Sequence, residues 1–185
     1  MGLPIQNVGV NISPKQLVQL DFTDMVADIL ADTGMEQGNL VLEVTESSYM
    51  ENAELVIQSL DEVRCLGVSV AINHFGTGYS SLSYLRKIPL DILKIDRSFV
   101  IETNTINGAA ICEMLITLSN RLGLKVVAAG VETQQQLQCL QRSDWIQGYY
   151  ISHPLSADEF IEKVRDFSLS AEATIKPLHK VHNFS

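Results

Sequence analysis

The chain has 185 residues, enough for one domain or a large piece of one. It is 46% hydrophobic and 19% charged, which excludes a disordered, collagen-like or low-complexity chain. Thirteen Lys and Arg against 22 Asp and Glu give a net charge of −9. That argues against a nucleic-acid surface, which needs a basic face, and asks any small anionic ligand to find local donors or metal ions.

In chain order, the opening MGLPIQNVGV has no basic region or cleavage motif, so it does not read as a signal peptide. Val8–Ile12 is the first predicted strand. Ser13 as N-cap and Pro14 at the first helical position open a helix predicted over Pro14–Ala31, with Leu17, Leu20, Met25, Ile29 and Leu30 as its apolar stripe. Strand Leu40–Val44, helix Asn52–Leu66 closed by Gly67, and strand Val68–Ile72 follow. A Gly76-Thr77-Gly78 loop leads to a short helix over Ser80–Arg86, ended before Pro89. Then come strand Ile92–Ile95, helix Ile106–Leu122 closed by Gly123, strand Lys125–Ala128, helix Thr133–Gln141, a weak strand at Trp145–Ile146, and helix Ala157–Phe167. Leu169–Ser185 carries Pro177 and no strong periodicity and reads as a tail, leaving residues 1–168 as the domain. No apolar run approaches the roughly 18 residues of a membrane span. Cys65, Cys112 and Cys139 lie far apart without ligand spacing and read as core thiols of a reducing cytoplasm.

Six alternating βα units imply parallel strands with right-handed crossovers. An open doubly wound sheet and a (β/α) barrel both fit. A closed eight-unit barrel needs at least about 200 residues, so a barrel here would lack roughly two units.

The polar residues that interrupt the pattern fall at the strand ends. Asn11, then Glu43 and Glu46, then Asn73 and His74, then Lys94 and Asp96 end the first four strands; Glu132 and Gln147 lie past the last two. In parallel sheets and barrels those ends form one face, where ligand sites are built. Carboxylates, amides and a lysine suit hard divalent cations with a phosphate ester. No nucleophile elbow is present, and FGTGYSS lacks the spacing of a P-loop.

These segments resemble the EAL-domain family of cyclic di-GMP phosphodiesterases. Val10-Asn11-Ile12-Ser13 is similar to its VNxS strand and Leu42-Glu43-Val44-Thr45-Glu46-Ser47 to LExTES. Asn73-His74-Phe75-Gly76-Thr77-Gly78-Tyr79-Ser80-Ser81-Leu82 stands where the family has DDFGTGYSSL. Lys94–Val100 matches KIDRSFV, Val127–Thr133 stands at VAEGVET, and Gln147-Gly148-Tyr149 with Pro154-Leu155 matches QGY and the closing PL. The resemblance covers about residues 7 to 165. It implies a TIM-like barrel that hydrolyses one phosphodiester bond of cyclic di-GMP with two Mg²⁺ or Mn²⁺ ions. It makes Asn11 and Glu43 metal ligands, Glu46 a brace for the loop after the third strand, and Lys94 the residue positioning the attacking water. Glu132 would stand on or behind the metal face, and Gln147 near the water or the guanine.

The departures carry the functional expectation. The Glu-Ala-Leu signature is absent, the chain beginning downstream of its place, and Asn73, His74 and Ala129 replace three metal-binding carboxylates. Affinity for a hard cation falls as ligand charge is removed, and without the ions water is not activated at neutral pH. The sequence therefore predicts an incomplete EAL-type barrel of about six βα units. It predicts a catalytically inactive nucleotide receptor or interaction module that needs no cofactor, with ligand contacts from Asn11, Asn73, His74, Lys94 and Gln147. An active phosphodiesterase and a structural remnant that binds nothing are the alternatives. Without metals, Lys94 is expected to pair with Glu43 or Glu46, and Asp96 with Arg97. Uncovered barrel edges invite a protein partner, a missing N-terminal part or a second copy.

Overall fold

The computed structural model describes residues 7–49, 52–76, 85 and 87–174. The elements are β1 (Val8–Asn11), α1 (Pro14–Leu17), α2 (Phe22–Thr33), β2 (Leu40–Thr45), α3 (Ala53–Cys65), β3 (Ser69–Phe75) and β4 (Ile92–Ile95). They continue as α4 (Arg97–Ile101), α5 (Ile106–Arg121), β5 (Lys125–Ala129), α6 (Gln134–Cys139), β6 (Trp145–Gln147) and α7 (Ala157–Thr174). The loop over residues 77–84, most of the helix expected over Ser80–Arg86, and residues 175–185 lie outside the described residues.

All six strands are parallel and stand in sequential order β1-β2-β3-β4-β5-β6. A doubly wound sheet reverses direction at a switch point. Sequential winding instead keeps every crossover on one side and curls the sheet into part of a barrel. Eight strands close such a barrel, so six form an incomplete one.

Two apolar layers hold it. Leu42 and Val44 of β2, Val70 and Ile72 of β3, Leu93 and Ile95 of β4, and Val126 and Ala128 of β5 face the helices. They pack with Phe22, Val26 and Leu30 of α2, with Val56, Leu60 and Val63 of α3, and with Cys112, Leu115 and Ile116 of α5. Each buried Val, Leu, Ile or Phe among them contributes about 1.5–3 kcal/mol. The alternate strand residues Val41, Ala71 and Ile92, with Val127 and Trp145 against them, form a smaller layer on the concave side.

The helix expected over Pro14–Ala31 is two. Leu17 and Phe22 are both buried. Five residues apart, they would stand on different sides of one straight helix, at 3.6 residues per turn. The break after Leu17 brings both inward, leaving Leu20 fully exposed and Ile29 half exposed, so these two do not belong to the apolar stripe. A capping box between Ser13 and Gln16 starts α1. The strands β2, β3, β5 and β6 each run past the expected ends, β3 by three residues to Phe75. The last helix runs to Thr174 rather than Phe167. Of the cysteines, only Cys112 is buried; Cys65 and Cys139 are exposed. Burial pushes the Cys112 thiol up to about 11, with Cys139 and Glu102 adding to the shift, which keeps it protonated and inert.

Candidate functional site

Strand registry gathers the site. Asn11 lies opposite Glu43, Thr45 opposite Asn73, Lys94 opposite Val127, and Ala129 opposite Gln147. Side chains alternate along a strand, so all of these share the concave side with Val41, Ala71 and Ile92, nearer the strand C-termini. The polar residues cap the inner apolar layer.

Around Glu43 they form one network. Lys94 Nζ donates to Glu43 Oε2 at 2.5 Å, and the two side chains are only 7% and 14% exposed. Asn73 Nδ2 donates to the same oxygen at 3.1 Å and to Asn11 Oδ1 at 3.3 Å. The expected partner of Lys94 is therefore Glu43. Glu46 Oε1 accepts the Gly76 N–H at 2.9 Å, which ties the end of β2 to the turn after β3.

His74 sits in a β-bulge. Ile72 faces Leu93 and Phe75 faces Ile95, so β3 spends one residue more than β4 across this stretch. His74 takes up the difference with a left-handed backbone, φ 57°. The bulge lets Asn73 face the concave side while Phe75 enters the helix-facing core. It also turns the His74 ring to Asp96, with Nδ1 and Oδ2 2.6 Å apart.

The expected Asp96–Arg97 pair is not formed. Asp96 instead caps α4 through the Ser98 N–H at 2.8 Å and partners His74. Burial pushes the Asp96 carboxyl up; hydrogen bonds from Ser98 and the adjacent His74 ring outweigh it and hold the group below its ordinary value. Arg97 reaches Glu132 at 2.7 Å, so Glu132 is an ion-pair partner at this face. Ala129 brings only a methyl group. Gln147 is exposed at the end of β6, where its carbonyl accepts the Gly130 and Val131 N–H groups. Tyr149 and Tyr150 stand exposed beyond it, with Tyr149 stacked on His153 at 4.2 Å, while Trp145 packs against the inner layer.

Three acid–base pairs thus occupy the strand-end face: Glu43–Lys94, Asp96–His74 and Glu132–Arg97. Sequence reasoning missed the last two, because the bulge and the reach of Arg97 leave no periodic signal. It also missed Gly9, whose only mark is a glycine inside a strand.

Residues 2–154 match the EAL domain family. The chain belongs to the EAL-domain family. It is 40% identical over 176 residues to the cyclic di-GMP phosphodiesterase NbdA of Pseudomonas aeruginosa, covering 94% of this chain and 22% of NbdA. The chain therefore spans about a fifth of that relative's length. Among solved structures, the EAL domain of Mycobacterium smegmatis DcpA superposes with a TM-score of 0.81 at 38% identity, over 86% of this chain and 73% of DcpA's. Klebsiella pneumoniae BlrP1, solved with manganese and cyclic di-GMP, superposes with a TM-score of 0.73 at 29% identity, over 80% and 39% of the two chains.

The manganese of that relative poses a test for the residues here. Among the described residues, no three His, Cys, Asp or Glu side chains converge to hold a metal ion. The single inward carboxylate, Glu43, is neutralised by Lys94, Asn73 presents its amide N–H₂ to it, and the His74 ring faces Asp96. Hard divalent cations take oxygen ligands, several of them anionic. The residues present do not fit a two-metal centre.

Proposed function

We propose that this EAL domain serves cyclic di-GMP signalling without hydrolysing the nucleotide, as a receptor or regulatory interaction module. One observation carries the reading: Glu43, the inward carboxylate among the described residues, is matched by Lys94, and Glu132 by Arg97, where a two-metal centre needs several anionic ligands. The names of relatives such as NbdA favour a phosphodiesterase. That reading needs an activated water, and the donor set gives no means of activating one at neutral pH.

In the proposed mode the nucleotide lies on the strand-end face. Asn11, Asn73 and Gln147 offer neutral hydrogen bonds, His74 stands at the rim, and Lys94 supplies a cation shared with Glu43. Glu46 braces the adjoining turn. No metal or other cofactor takes part. Among the described residues, no helix is long and apolar enough to cross a membrane. A cytoplasmic setting is proposed for the domain. β1 forms one edge of the incomplete barrel, with all four residues exposed, Val8 and Val10 among them. β6 forms the other, with exposed Tyr149, Tyr150 and Ile151 just beyond it. A protein partner, further strands of a longer chain, or a second copy would use these edges.

Calorimetric titration with cyclic di-GMP in EDTA, repeated in excess Mg²⁺, tests the proposal. Equal binding in both, with the nucleotide recovered intact, supports the receptor role. Binding only with Mg²⁺ contradicts the metal-free mode, and no binding in either leaves the interaction module alone.

A further inference from the structure

Three of the four side-chain oxygens that Asn11, Glu43 and Asn73 would offer to a divalent ion already accept a protein N–H. Asn11 Oδ1 takes the Asn73 amide, Glu43 Oε2 takes that amide and Lys94, and Asn73 Oδ1 takes the His74 backbone N–H at 3.2 Å. The Asn73 orientation follows from chemistry, since the reverse would set its carbonyl oxygen against the carboxylate. The second carboxylate oxygen, Glu43 Oε1, lies over Gly9. A Cβ at residue 9 would stand 2.4 Å from it. Glycine weakens a strand, and at this position it admits the carboxylate.

We infer that Lys94 is the built-in cation of this site. Its tethered ammonium neutralises Glu43 in place of a divalent ion, and Gly9 and Asn73 are the positioning residues that hold the carboxylate to it. A metal ion at Glu43 would have to displace a buried ammonium and leave that charge unpaired, which buried charges resist. Among the described residues, Lys94 makes this one hydrogen bond, so two of its N–H groups stay available to an anionic oxygen. The inference concerns these side chains alone and stands whether or not a nucleotide binds.

Manganese titration followed by electron paramagnetic resonance reads it without any turnover. Wild type and Glu43→Gln should share the same weak affinity. Lys94→Met should bind Mn²⁺ about tenfold more tightly than wild type, because Glu43 becomes an unmatched anionic ligand. The double variant E43Q/K94M should lose that gain. If Lys94→Met binds no more tightly than wild type, the inference fails. Should that variant not fold, wild type and E43Q decide: equal affinities support the built-in cation, and weaker binding in E43Q overturns it.

Discussion

Breaking the Glu43–Lys94 pair from one side should cost far more than breaking a surface pair. The two side chains are 14% and 7% exposed and meet at 2.5 Å. Lys94→Met leaves a carboxylate facing an apolar layer of Val41, Ala71 and Ile92 with only the Asn73 amide to hold it. Removing one partner of a buried pair costs about 3–5 kcal/mol, against about 0.2–1 kcal/mol for an exposed one. Taking the low end, Lys94→Met and Glu43→Gln each cost about 3 kcal/mol, which for a domain of this size lowers the melting temperature by about 6–12 °C. In E43Q/K94M no charge is stranded, and the glutamine carbonyl still accepts from Asn73. A coupling of about 3 kcal/mol would then make the double variant cost about 3 rather than the additive 6 kcal/mol. Urea unfolding of the four proteins, followed by circular dichroism, measures the cycle. Single variants within about 1 kcal/mol of wild type, or strictly additive effects, would refute the claim that this ion pair is buried and coupled.

Other substitutions probe the rest of the face. Restoring Asn73→Asp, His74→Asp and Ala129→Glu together should not give family-like turnover, because Glu43 stays paired with Lys94 and the described residues form six of the eight strands of a closed barrel; pGpG production by the triple variant is the readout. Each change alone should do less, since ligands of one metal act as a unit. Asp96 has its carboxyl held below its unfolded value, so it stabilises the fold at neutral pH and loses that contribution as pH falls from about 4 through the lowered value. Asp96→Asn should therefore be less stable at pH 7 and show a flatter stability profile below about pH 4 in acid titration of the unfolding midpoint. Gly130 has φ 81° and would place a Cβ 2.4 Å from Arg97 Cγ. Gly130→Ala should cost about 1–3 kcal/mol in thermal melts and displace Arg97 from Glu132.

The fold was legible wherever periodicity spoke. Six apolar runs marked six strands, and the polar residues at their C-terminal ends were expected on one face. Periodicity alone left barrel and doubly wound sheet open, because strand order depends on how crossovers stack and not on local pattern; the family motifs chose the barrel. The split of the first helix escaped because Leu17 and Phe22 are each compatible with helix; only their joint burial forces the break. At the site, charge alone offered Lys94 either Glu43 or Glu46, and strand registry selects Glu43. His74 turning to Asp96 did not, because the bulge that moves it depends on a register shift between two strands. The contact of Glu43 with Gly9 joins residues 34 apart in sequence across neighbouring strands, and only the glycine itself hinted at it.

The most direct test of the central claim is a turnover assay of the chain with cyclic di-GMP in excess Mn²⁺, with linear pGpG resolved by chromatography. Matched charge pairs without a metal centre predict no pGpG above the rate of the Glu43→Gln variant. Turnover of about one per second or more, abolished by Glu43→Gln, would show that Glu43 holds a catalytic metal and would contradict the account.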